Sequence, residues 1–89
     1  MPNVSRLQLD VLKPHKPNAY DFTVALSTVD PTWSFSLDVV EIDEQTESIC
    51  LIVSGMHIDL DILQAKLTEL GATVHSIDTV ETSGEFIVE

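Results

Sequence analysis

The sequence predicts an α+β, ferredoxin-like domain: order βαββαβ, a four-stranded antiparallel sheet, and two helices on one face. Three observations lead there. Apolar residues alternate with period two over residues 4–12 and again from Trp33 to Val39, with a helical stripe between them. The same strand–helix–strand order recurs over residues 46–80. Eighty-nine residues also leave room for one core only. We therefore expect one domain, residues 1–89, with a core over 4–80 and a C-terminal tail over 81–89. Right-handed crossovers put strands 1 and 3 in the centre of the sheet and strand 4 beside strand 1.

In the first strand, Leu7, Leu9 and Val11 alternate with Gln8 and Asp10, and Pro14 and Pro17 stop the run. Asn18 is a helix N-cap with Asp21 three residues on, and Phe22, Ala25, Leu26 and Val29 form one helical stripe. Asp30–Pro31 ends that helix. In the second strand Trp33, Phe35, Leu37 and Val39 point inward, and the adjacent apolar pair Val39–Val40 marks a bulge. The third strand carries Ile49, Leu51 and Val53 on one face and Cys50 and Ile52 on the other. Asp59 caps the second helix, Leu60, Leu63, Leu67 and Leu70 form its buried stripe, and Gly71 is its C′ residue. Residues 72–80 form the last strand, which leaves Phe86, Ile87 and Val88 in the tail without a place in a four-stranded plan.

Charge narrows the class of partner. Fifteen acids against four bases give −11, and residues 17–89 hold fourteen of the acids against Lys66 alone. Such a surface repels nucleic acid and anionic membranes. It suits either divalent cations or a very salty cytoplasm, where self-repulsion is screened within a few ångström. The single Cys50 rules out an internal disulfide. No apolar run approaches a membrane span or a signal segment, so the expected location is cytoplasmic.

Two stretches could carry chemistry: LDVLKPHKP (residues 9–17) and VHSID (residues 74–78). The plan puts Lys13, His15 and Lys16 at one sheet edge with His75 and the acidic connection holding Glu41, Asp43 and Glu44. Asp10 and Asp38 point to the open sheet face, and Asp78 joins them if the phase of strand 4 allows. One reading is a divalent-cation site. Carboxylates favour calcium or magnesium, and imidazole shifts the preference toward zinc or nickel. The other is that the lysines neutralise the acidic connection while the histidines are solvated. No recognised ligand spacing decides between them. Ser76 stands between His75 and Asp78, but strand neighbours point to opposite faces, so no nucleophilic triad forms and no enzyme is expected.

RLQLDVLKPHKP (residues 6–17), EIDEQTE (41–47) and VHSIDTV (74–80), in this order and spacing, resemble the small archaeal family known as domain of unknown function 211. The resemblance covers residues 4–80. It implies a ferredoxin-like fold, ring-like homo-oligomers and bound divalent cations, with no established activity. It carries the metal role to Asp10, His15, His75 and Asp78. The chain departs from the family in its few bases, which fits a halophilic archaeal source, and in its tail beyond Thr82. The expected function is a non-enzymatic homo-oligomer that binds divalent cations through its acidic surfaces, with no certain cofactor and with itself as partner. Cys50, Ile52, Phe86, Ile87 and Val88 are the expected interface. The alternatives are a purely structural ring or filament unit, and a small-molecule sensor whose pocket is lined by Asp10 and Asp38.

Overall fold

The computed structural model describes residues 3–84. The order is β1 (Asn3–Pro14), α1 (Ala19–Leu26), β2 (Ser34–Ile42), β3 (Thr46–Ser54), α2 (Leu60–Glu69) and β4 (Thr73–Ser83). The strands form one antiparallel sheet in the order β2-β3-β1-β4, the ferredoxin-like plan with β1 and β3 central.

Alternation decides which face is buried. Leu7, Leu9 and Val11 of β1 and Ile49, Leu51 and Val53 of β3 are buried together with Phe22 and Leu26 of α1 and Leu63 and Leu67 of α2. Both helices thus cover one face. On the other, Arg6, Gln8 and Asp10 pair with Ser54, Ile52 and Cys50. No described element covers that face.

The caps form where the sequence places them. The Asn18 side chain accepts a hydrogen bond from the Asp21 N–H at 2.8 Å, and Asp59 accepts from the N–H groups of Asp61 and Ile62 at 2.9 and 3.2 Å. At the end of α2, Gly71 has φ +85, its N–H donates to the Thr68 carbonyl, and that of Ala72 donates to Leu67. This is the Schellman arrangement, which satisfies two terminal carbonyls. Gly55 is required for a different reason. A Cβ there would lie 2.8 Å from the Trp33 ring and 2.9 Å from the Thr32 carbonyl oxygen. The Trp33 indole is held over this turn by donating to the Met56 carbonyl at 3.1 Å.

Three boundaries differ from expectation. The first helix ends at Leu26 with Ser27 as C-cap, so Val29 packs against the core from a loop and not from the helical stripe. β1 begins at Asn3, which offers pairing partners as far as Ser83; β4 therefore takes in Glu81, Thr82 and Ser83, expected in the tail. Within β4 the register slips twice, at His75 and at Asp78, and β2 slips at Val40, where the bulge was expected. Bulges on both edge strands interrupt the free hydrogen-bonding rim that would otherwise template uncontrolled pairing. Phe86, Ile87 and Val88 of the expected interface lie outside the described residues.

Candidate functional site

The densest polar cluster lies where β1 and β3 end together. Lys13 continues the inward phase of Leu7, Leu9 and Val11, and Glu47 continues that of Ile49, Leu51 and Val53. The two are register partners. The Lys13 side chain is 0% exposed and that of Glu47 14%. The Lys13 ammonium donates to Glu47 Oε1 at 3.0 Å and to the Pro14 carbonyl at 2.8 Å, and it lies 5.6 Å from the centroid of the Phe22 ring. A charge removed from water this completely persists only with such partners.

His15 completes the cluster from the rim. Its Nδ1 lies 3.0 Å from Glu47 Oε2 and its Nε2 lies 3.0 Å from the Glu44 carbonyl oxygen. The hydrogen bond to Glu47, and then that to the Glu44 carbonyl, raise the His15 pKa above its ordinary 6.5. The bonds from His15 and Lys13 hold the Glu47 carboxyl below its ordinary value. The turn is closed by the Asp43 N–H donating to the Thr46 carbonyl at 2.8 Å.

The four expected ligands do not converge. His15 lies five residues beyond Asp10 along an extended chain, roughly 15 Å away. The sheet order sets β1 and β3 between β4 and β2, so His75 does not join the acidic connection as expected. Asp10, paired with Cys50 on one side and Ser76 on the other, sits in the middle of the open face. Asp78 accepts a hydrogen bond at 2.7 Å from the Oγ of Ser76, the register partner of Asp10. Asp38 reaches the same row through its pairing with Cys50. Among the described residues no three His, Cys, Asp or Glu side chains are grouped to hold a metal. Cys50 and Ile52 do lie on the open face, each partly exposed.

A cavity of about 300 Å³ opens between α2 and β4, lined by Gln64, Leu67, Thr68, Ala72, Thr73 and Val74. It lies on the helical side and has no ionisable lining, so Asp10 and Asp38 do not form its walls as the sensor reading expected. What sequence reasoning missed is Glu47 and the burial of Lys13. The signal was available, because both continue an inward-facing alternation by two residues.

These features define a small ferredoxin-like domain with one open sheet face and a buried ion pair at one end of the sheet. The chain belongs to the DUF211 family, whose model, described as "Uncharacterized ArCR", matches residues 5–89. The match runs through the tail, which corrects the expectation that the chain leaves the family beyond Thr82. An uncharacterized protein of the archaeon Methanocaldococcus jannaschii is 36% identical over 89 residues, covering 100% of this chain and 91% of the relative. These similarities support an archaeal origin. No helix among the described residues is long and apolar enough to cross a membrane.

Proposed function

We propose that the protein is a non-enzymatic assembly unit, in which the open sheet face of one copy seats another. The observation that supports this reading is the character of that face in so acidic a chain. Along β3 it presents Ser48, Cys50, Ile52 and Ser54, with no charge among them. Its one base, Arg6, is already paired across the strands with Glu81 at 3.1 Å. Asp10 and Asp38 flank Cys50 on the same face, so copies of a chain of net charge −11 meet there once salt screens those carboxylates. The neutral row centred on Ile52, whose neighbours across the sheet are Gln8 and Ser36, suits a like partner, whereas a basic partner would be drawn to the acidic remainder of the surface. Ile52→Asp puts a charge at the centre. Light scattering should show a mass several times 9.8 kDa for the wild type and a folded single chain for the variant. A wild type that stays at 9.8 kDa in molar salt contradicts the proposal.

Divalent-cation binding is the second reading, supported by the placing of Asp10 and Asp78 around Ser76 on the open face. His15 has both ring nitrogens against oxygen acceptors and falls out of that reading. Titration with calcium or magnesium should then be abolished by Asp10→Asn together with Asp78→Asn, and a mass unchanged by chelator would separate assembly from cation.

The acidic surface also supports a halophilic setting. Under it, the melting temperature rises by several degrees from dilute buffer to molar KCl, as screening relieves self-repulsion. A flat melting temperature contradicts it.

A further inference from the structure

The two oxygens that flank His15 are both acceptors. Glu44 contributes a backbone carbonyl, which has no proton to give. Glu47 contributes a carboxylate that Lys13 and His15 together keep ionised. A neutral imidazole donates through one nitrogen only and would turn a lone pair toward the other oxygen. The arrangement, with both contacts at 3.0 Å, therefore requires the imidazolium.

We propose that His15 is a pH-operated latch: doubly protonated, it ties the turn between β2 and β3 to the end of β1, and loss of one proton releases that turn. The charged group against the ring is Glu47 from β3, with Lys13 of β1 on the same carboxylate; Glu44 and Asp43 of the turn act on it through their backbone, and Lys16 follows on its own loop. The bonds to Glu47 and to the turn's backbone, with the charge of Glu47, draw the ring toward its charged form. At 40% exposure it can exchange its proton with solvent without unfolding the core. Losing the proton leaves the bond to one of the two oxygens unmade. The Glu44 contact is the weaker of the two, because a charge-assisted bond to Glu47 outlasts a neutral one to a carbonyl.

The direction follows from linkage. His15 is raised in the folded chain, so its contribution is complete below the unfolded value of 6.5 and is lost as pH climbs through the higher folded value. Glu47 is lowered, so its contribution is complete above the ordinary carboxyl value and is lost only as pH falls through the depressed one. The latch is closed between these limits. It opens as pH rises through the raised His15 value, while the buried Lys13–Glu47 pair still joins β1 to β3. The effect belongs to the single chain and does not depend on assembly.

The test is nitrogen NMR of the imidazole together with amide hydrogen exchange of the turn, on the full chain. At pH 6 both His15 nitrogens should carry protons, and the midpoint should lie above 6.5. Protection of the Asp43 amide, corrected for intrinsic exchange, should be lost as pH rises through that midpoint. His15→Gln keeps a donor but cannot titrate, so in that variant the protection should no longer follow pH in this range. A midpoint at or below 6.5, a neutral ring at pH 6, or a turn whose protection follows pH equally in His15→Gln would each overturn the latch.

Discussion

Replacing Glu47 by alanine lowers stability by about 3 kcal/mol, because it strands a fully buried ammonium. Lys13 would keep only the Pro14 carbonyl and the face of Phe22. Breaking one side of a buried pair costs roughly 3–5 kcal/mol, and the lower end applies because Glu47 borders solvent and water can enter its space. In a domain of this size that is a drop in melting temperature of well over ~10 °C. Lys13→Met separates the value of the pair from the penalty of an orphaned charge. It removes the buried charge and keeps the stem's volume, so its cost should be far smaller than that of Glu47→Ala. Urea unfolding of both variants is the measurement. A Glu47→Ala protein as stable as the wild type would mean that the ammonium reaches water.

Phe22→Ala should cost about 3–5 kcal/mol. Phe22 is fully buried, and it and Leu26 are the buried residues of α1. An eight-residue helix has little stability of its own, so its docking depends on this anchor. The ring also stands over the Lys13 ammonium. Phe22→Leu restores most of the volume without the aromatic face, and what it leaves unrecovered, about 0.5–2 kcal/mol, reports the cation–π contact plus any misfit. A loss under ~1 kcal/mol for Phe22→Ala would show that α1 is held chiefly by other contacts.

The fold was legible because every element announces itself locally. Asn18 and Asp59 are short side chains placed to accept terminal N–H groups, and Gly71 supplies the positive φ that ends α2. The double apolar residue at Val39–Val40 marks a real slip of register. The two slips in β4 left no comparable mark, since mixed alternation at an edge strand reads the same whether or not a residue is extra.

The site was less legible, and the reason is long range. Asp10 and Asp38 were placed correctly because the face of a residue follows from strand phase alone. Bringing Lys13 against Glu47 needs the register of two strands thirty-odd positions apart, which alternation does not supply. A lysine in phase with Leu9 and Val11 was placed at the sheet edge, neutralising the acidic connection, because lysines rarely lie fully inside. Its inward phase, matched by Glu47 on the neighbouring central strand, was the clue. The plan put His15 and His75 at one sheet edge, yet His15 turns to Glu47 and the β2–β3 turn, from which the strand order keeps β4 apart.

Cys50 offers the most direct view of the assembly claim, since it is the chain's one thiol and stands beside Ile52 on the open face. The measurement is its rate of reaction with a maleimide across a range of protein concentrations. If copies cover one another there, the wild-type thiol reacts slowly and more slowly still as concentration rises, while Ile52→Asp reacts fast at every concentration. Equal, concentration-independent rates in the two proteins would mean that nothing covers that face, and the assembly reading would fall.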